Sequence, residues 1–117
     1  MNKDYIIEAL KKNKKAKSED REFDIMQLYN YLKSYIIAKF KVPEIKIREV
    51  KLDTNYFKVI LVTQKEKFDP VSVSDAIRKS LSLKLDLLED DVKVLVSGNS
   101  NKENMMIDIE YIKKVNL

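Results

Sequence analysis

The side chains best suited to chemistry in this 117-residue chain are carboxylates. Glu89-Asp90-Asp91 stand in a row, Asp108 and Glu110 alternate, and Glu19-Asp20 are adjacent. Paired carboxylates can move protons on a substrate or hold a hard divalent cation. Nothing around these groups completes either task. The chain has no histidine and no cysteine, which removes the commonest general base, the thiolate nucleophile and the soft metal ligands. Ser72, Ser74, Ser80 and Ser82 have no imidazole to activate them, and no lysine is singled out as a substitute base. The single glycine, Gly98, excludes a P-loop and a dinucleotide fingerprint, both of which need several. The acidic residues read as solvated faces and strand starts. No catalytic residue, metal site or cofactor is assigned, and the chain is expected not to be an enzyme.

Recognition is the chemistry that remains. The formal charge is +4, from 23 basic and 19 acidic residues. Lys11, Lys12, Lys14, Lys15 and Lys17 form a basic run that suits a polyanion, where each phosphate contact adds affinity and salt sensitivity. Cations at that place also suit the negative end of a short helix, and the near balance of charge fits an ordinary lysine-rich chain. No apolar run approaches the roughly 20 residues that span a bilayer, and the first residues lack the apolar stretch of a secretory leader. The expectation is a cytoplasmic protein without a membrane partner.

These residues must be positioned by the elements between them. Residues 3–16 read as a short helix with Tyr5, Ile6, Ala9 and Leu10 on its apolar face, too short to be stable alone. Tyr31 or Ile37 are the natural positions for it to dock against. Ser18 to Glu22 read as a charged linker. Ile25, Leu28, Tyr29, Leu32, Ile36 and Phe40 recur at helical spacing behind Asp24, a capping residue, and Pro43 ends that helix. Ile45 and Ile47 then alternate with Lys46 and Arg48, whereas Val50 and Leu52 are out of phase, which predicts a bulge near Arg48-Glu49. Asp53-Thr54-Asn55 is turn chemistry. The second strand, from about Tyr56 to Lys65, shows one face to Phe57, Val59, Leu61 and Thr63.

A looser copy follows. Phe68-Asp69 matches Phe23-Asp24, with Pro70 at the first helical position and Ser72 with Asp75 as a competing capping box. Ile77, Leu81 and Leu85 take the places of Leu32, Ile36 and Phe40. Leu81, Leu83, Leu85 and Leu87 also alternate, as in a strand, but the upstream caps favour a helix to about Lys84. Val92, Val94 and Val96 form a strand, Ser97 to Asn101 a loop, and Met105 to Lys113 a last strand with Ile107, Ile109 and Tyr111 inward and Asp108 and Glu110 facing solvent.

The predicted fold is α+β in one domain over 1–117. It comprises an N-terminal helix and linker (1–22) and two helix–strand–strand units (23–66 and 67–117), an α-αββ-αββ order. Its four strands form one mainly antiparallel sheet with the long helices on one face. The helix–strand–strand–helix–strand part is similar to the core of a type II KH domain. The glycine-rich clamp that would imply RNA binding there is missing, and Gly98 stands elsewhere.

Two functions follow as expectations. The first is nucleic-acid binding, DNA ahead of RNA, through Lys11, Lys12, Lys14, Lys15 and Lys17 together with Lys46, Arg48 and Lys58 of the first hairpin, in the order of a helix-turn-helix with a wing. Against it stands the scarcity of arginine, confined to Arg21, Arg48 and Arg78. The second is a protein-interaction, assembly or inhibitor module, with a homodimer or another protein as partner. It would use Tyr56, Ile60, Val62 and Leu95 on the sheet face away from the long helices.

Overall fold

The computed structural model describes residues 20–98 and 104–114, and within them the apolar periodicities resolve into two helices and four strands. In order these are α1 (Ile25–Phe40), β1 (Lys46–Asp53), β2 (Tyr56–Gln64), α2 (Pro70–Leu85), a short 3-10 turn (Glu89–Asp91), β3 (Val92–Gly98) and β4 (Asn104–Ile112). The helix expected over residues 3–16, with Lys11, Lys12, Lys14, Lys15 and Lys17, lies outside the described residues.

Each helix starts on an aspartate whose side chain satisfies N–H groups that have no partner inside the helix. Asp24 accepts from the backbone N–H of Met26 at 2.8 Å and of Gln27 at 3.3 Å. Asp69 accepts from the N–H of Val71 at 3.2 Å and the hydroxyl of Ser72 at 2.7 Å, while Pro70 fills a position where a missing N–H costs nothing. The competing box is therefore not used: Ser72 serves Asp69, and Asp75 pairs with Arg78 at 3.2 Å. Both helices end on a left-handed residue that is not glycine, Lys41 with φ 58° and Asp86 with φ 54°. The sharp turn delivers the next residue to the core, Val42 after α1 and Leu87 after α2. The leucine alternation after Ser80 is helical: Leu81 is fully buried, whereas Leu83 is 87% exposed on the far side.

The four strands form one sheet in the order β1-β2-β4-β3, every neighbouring pair antiparallel. β2 and β3 thus run parallel with β4 between them, a split βαβ crossover through α2. Phe57, Val59 and Leu61 of β2 and Met105, Ile107 and Ile109 of β4 are all 0% exposed. Register sets Phe57 opposite Tyr111, Val59 opposite Ile109, Leu61 opposite Ile107 and Thr63 opposite Met105. These residues belong to one buried cluster with Leu28, Leu32 and Ile36 of α1 and Val73, Ile77 and Leu81 of α2. Each such side chain contributes on the order of 1.5–3 kcal/mol by leaving water. Phe23, just before α1, meets the rings of Phe57 and Tyr111 edge-on at 4.9 and 5.5 Å.

The register of β1 shifts between Ile47 and Glu49, making Arg48 the extra residue of a bulge where one was expected. The shift sets Ile47, Val50 and Leu52 opposite Leu61, Val59 and Phe57, on the core face. All three nevertheless remain 39% exposed.

Polar ties hold the layers in register. Asn55, left-handed at φ 59°, donates its N–H to the Arg21 carbonyl at 2.8 Å and accepts the Arg21 N–H on its side-chain oxygen at 2.8 Å. Its amide donates to Asp20 at 3.0 Å, and its carbonyl accepts the N–H of Lys113 at 3.1 Å. One turn residue thereby joins the approach to α1, the first hairpin and the end of β4. Tyr31 bonds to Ser80 of α2, and Tyr35 donates to the Ala76 carbonyl at 3.3 Å. Tyr29 donates to the Ile45 carbonyl at 2.8 Å, and Thr63 to that of Glu44.

Asp69→Ala should lower the thermal midpoint at neutral pH. The Ser72 hydroxyl and the backbone N–H groups hold the Asp69 carboxyl below the usual carboxylate range. The charged cap contributes in full above that range and is lost as pH falls through the lowered value, so the gap to wild type should close in acid. A gap that does not change with pH would reject the charged cap. Asn55→Gly keeps the backbone conformation but removes the bridging side chain. Urea unfolding should show a loss of about 1–3 kcal/mol, with a larger loss for Asn55→Ala, which adds left-handed strain.

Candidate interaction surface

Alternation along a strand sends every second residue to the face opposite the core. In β2 these are Tyr56, Lys58, Ile60 and Val62, and in β4 Met106, Asp108, Glu110 and Ile112. The register assembles them into rows across the sheet. Lys51, Lys58, Glu110 and Lys93 form one row; Glu49, Ile60, Asp108 and Leu95 the next; Lys46, Val62, Met106 and Ser97 a third. Tyr56, Ile60, Val62 and Leu95, expected as an interface, therefore share one face. Leu95 is 71% exposed, whereas the β2 members are half-buried among their neighbours. Met106 stands directly opposite Val62 and diagonal to both Ile60 and Leu95.

The basic residues of the first hairpin lie on this same face, each beside a specific partner. Lys58 Nζ is 4.0 Å from Asp108 Oδ2, with both side chains 27% exposed. Lys46 sits 3.7 Å from Glu44, and the Arg48 guanidinium reaches Met106 Sδ at 3.6 Å. Tyr56 donates its hydroxyl to Glu110 Oε2 at 3.2 Å. Asp108 and Glu110, expected to face solvent, are thus the acidic half of a charge mosaic over the middle of the sheet. Removal from water, and then the bond to Glu110, raises the Tyr56 hydroxyl above the ordinary phenol range. Burial, with the charge of Asp91 nearby, does the same to Tyr111.

Pattern reading overlooked Met106 and Ile112. The inward assignment of Ile107, Ile109 and Tyr111 already placed both on the opposite face by parity. It also overlooked the uncovered strip of Ile47, Val50 and Leu52 on β1. Among the described residues no group of three or more acidic side chains gathers as a metal site would require, and no helix is long and apolar enough to cross a membrane. Comparison with protein-family models, curated proteins and solved structures finds no match.

The environment of Tyr56 and Tyr111 has a measurable outcome. A phenol whose neutral form is favoured by folding stabilises the fold below its ordinary range, and that contribution is lost as pH rises through the raised value. An alkaline ultraviolet titration should show late-ionising phenols, and Tyr56→Phe should remove one. A loss of amplitude confined to the ordinary phenol range, with the late phase unchanged, would place Tyr56 in water.

Proposed function

We propose that this chain is a non-catalytic protein-interaction module. It is one domain of two αββ units, with both helices against the core face of the sheet and the opposite face turned to a protein partner. The observation that carries this reading is the set of apolar side chains on that face, Ile60, Val62, Met106 and Leu95, interleaved with charges of both signs. Apolar anchors set among polar and charged neighbours are how many protein interfaces are built. Lys46, Arg48, Lys51, Lys58 and Lys93 are nearly balanced by Glu49, Asp53, Asp108 and Glu110, and Lys58 and Lys46 sit beside acids. Such a mosaic suits a mixed-charge protein surface better than a phosphate backbone. The lack of histidine and cysteine supports a non-catalytic role, and a chain with no cysteine suits a cytoplasmic setting.

Leu95→Asp and Ile60→Asp test the reading. A protein retained by the wild type, purified and titrated directly, should bind each variant at least roughly tenfold more weakly, the loss of one desolvated anchor. Val71→Asp, at an exposed position on α2, serves as the control and should leave binding unchanged. Equal binding by all three would reject the outer face as the contact surface.

A second reading is nucleic-acid binding, DNA ahead of RNA. It is favoured by the presence of Lys46, Arg48 and Lys58 on one face of the first hairpin, with the N-terminal lysine run supplying further phosphate contacts. Affinity for a short duplex should then fall with salt at a log–log slope of about −0.9 per phosphate engaged. Changing Lys11, Lys12, Lys14 and Lys15 to glutamate should abolish binding without moving the thermal midpoint. Salt-insensitive affinity, or unaltered binding by that variant, would remove this reading.

A further inference from the structure

Among the described residues β1 is an edge of the sheet, paired only with β2, and all eight of its residues are exposed. An open edge offers unpaired N–H and C=O groups to any strand that approaches. The two-residue turn after β1 closes on the Asp53–Tyr56 pair. Counting back from that hydrogen-bonded pair, Leu52 and Val50 direct their backbone N–H and C=O to the free edge. Their side chains, with Ile47, form the strip on the core face that stays 39% exposed.

The charges beside Val50 are self-complementary. Glu49 precedes it and Lys51 follows it, and both project from the outer face opposite Ile60 and Lys58. We propose that β1 pairs antiparallel with β1 of a second copy about a two-fold axis at Val50, joining two sheets into one. In that register Val50 faces Val50 of the second copy, and each Glu49 faces a Lys51, giving two opposite-charge pairs. Other centres are worse. An axis at Lys51 sets lysine against lysine and Glu49 against Asp53. An axis at Glu49 sets glutamate against glutamate. An axis at Leu52 reaches the turn after a single residue. The bulge at Arg48 ends the straight run at Glu49, so the contact is short and reversible. This inference goes beyond the outer-face reading and uses a different edge of the molecule.

Sedimentation equilibrium over a range of concentrations tests it, using wild type, Glu49→Lys, Lys51→Glu and the double variant Glu49→Lys/Lys51→Glu. All substituted positions are exposed, and circular dichroism confirms the fold of each. Wild type should approach twice the monomer mass as concentration rises. Each single variant turns both pairs into like charges and should weaken association roughly tenfold or more. The double variant restores opposite charges and should recover the wild-type dissociation constant. Leu95→Asp, on the outer face, should leave it unmoved. A monomer at every concentration, a dimer indifferent to the single variants, or a double variant as weak as the singles would each overturn the proposal. A dimer dissolved by Leu95→Asp alone would move self-association to the outer face and overturn the β1 pairing while supporting the outer-face reading.

Discussion

The pairing of β2 with β4 is the constraint on which the rest of the molecule depends. Both strands are central, and their inner residues are buried without residual exposure from Phe57 to Leu61 and from Met105 to Ile109. Side chains alternate with a period of two, so a slip of one residue would exchange this apolar row for Lys58, Ile60, Asp108 and Glu110. Phe23 packs on the seam's aromatic end at Phe57 and Tyr111, and the stripes of α1 and α2 join the same cluster. The register also decides what the opposite face shows, because it brings Lys58 beside Asp108 and Tyr56 beside Glu110.

The two helices, and likewise the two central strands, share one local pattern. Both helices have 16 residues, an aspartate cap in extended conformation and a left-handed final residue. β2 and β4 share the same alternation of half-buried and buried positions. The outer strands differ. β3 begins with buried Val92 and keeps Val94 and Val96 half-covered, with α2 packed against it. β1 leaves its equivalent strip in contact with water. The two edges of the sheet are therefore covered unequally.

Local signals made much of this legible. The helix starts could be read because Asp24 and Asp69 stand ahead of apolar stripes at helical spacing. The bulge could be read because Ile47 and Val50 fall out of phase within one strand. Tyr56, Ile60 and Val62 were grouped by alternation alone. Whether a face is covered is a different matter: periodicity shows which way Ile47, Val50 and Leu52 point and says nothing of what lies above them. The contact of Lys58 with Asp108 and the placement of Leu95 in one row with Ile60 depend on strand order and on register between distant segments, which no local pattern encodes. The separation of Ser72 from its expected partner Asp75 was equally hidden, because both caps satisfied the sequence rule and only geometry chose Asp69.

The central seam joins segments far apart along the chain, with Tyr56 opposite Ile112. The first hairpin closes through two residues and can form quickly, whereas the seam must close the long segment that carries α2 and β3. During synthesis β2 leaves the ribosome well ahead of β4. The nascent chain then carries a half-sheet whose most apolar strand is bare along one side, the kind of surface that chaperones hold and that aggregation exploits.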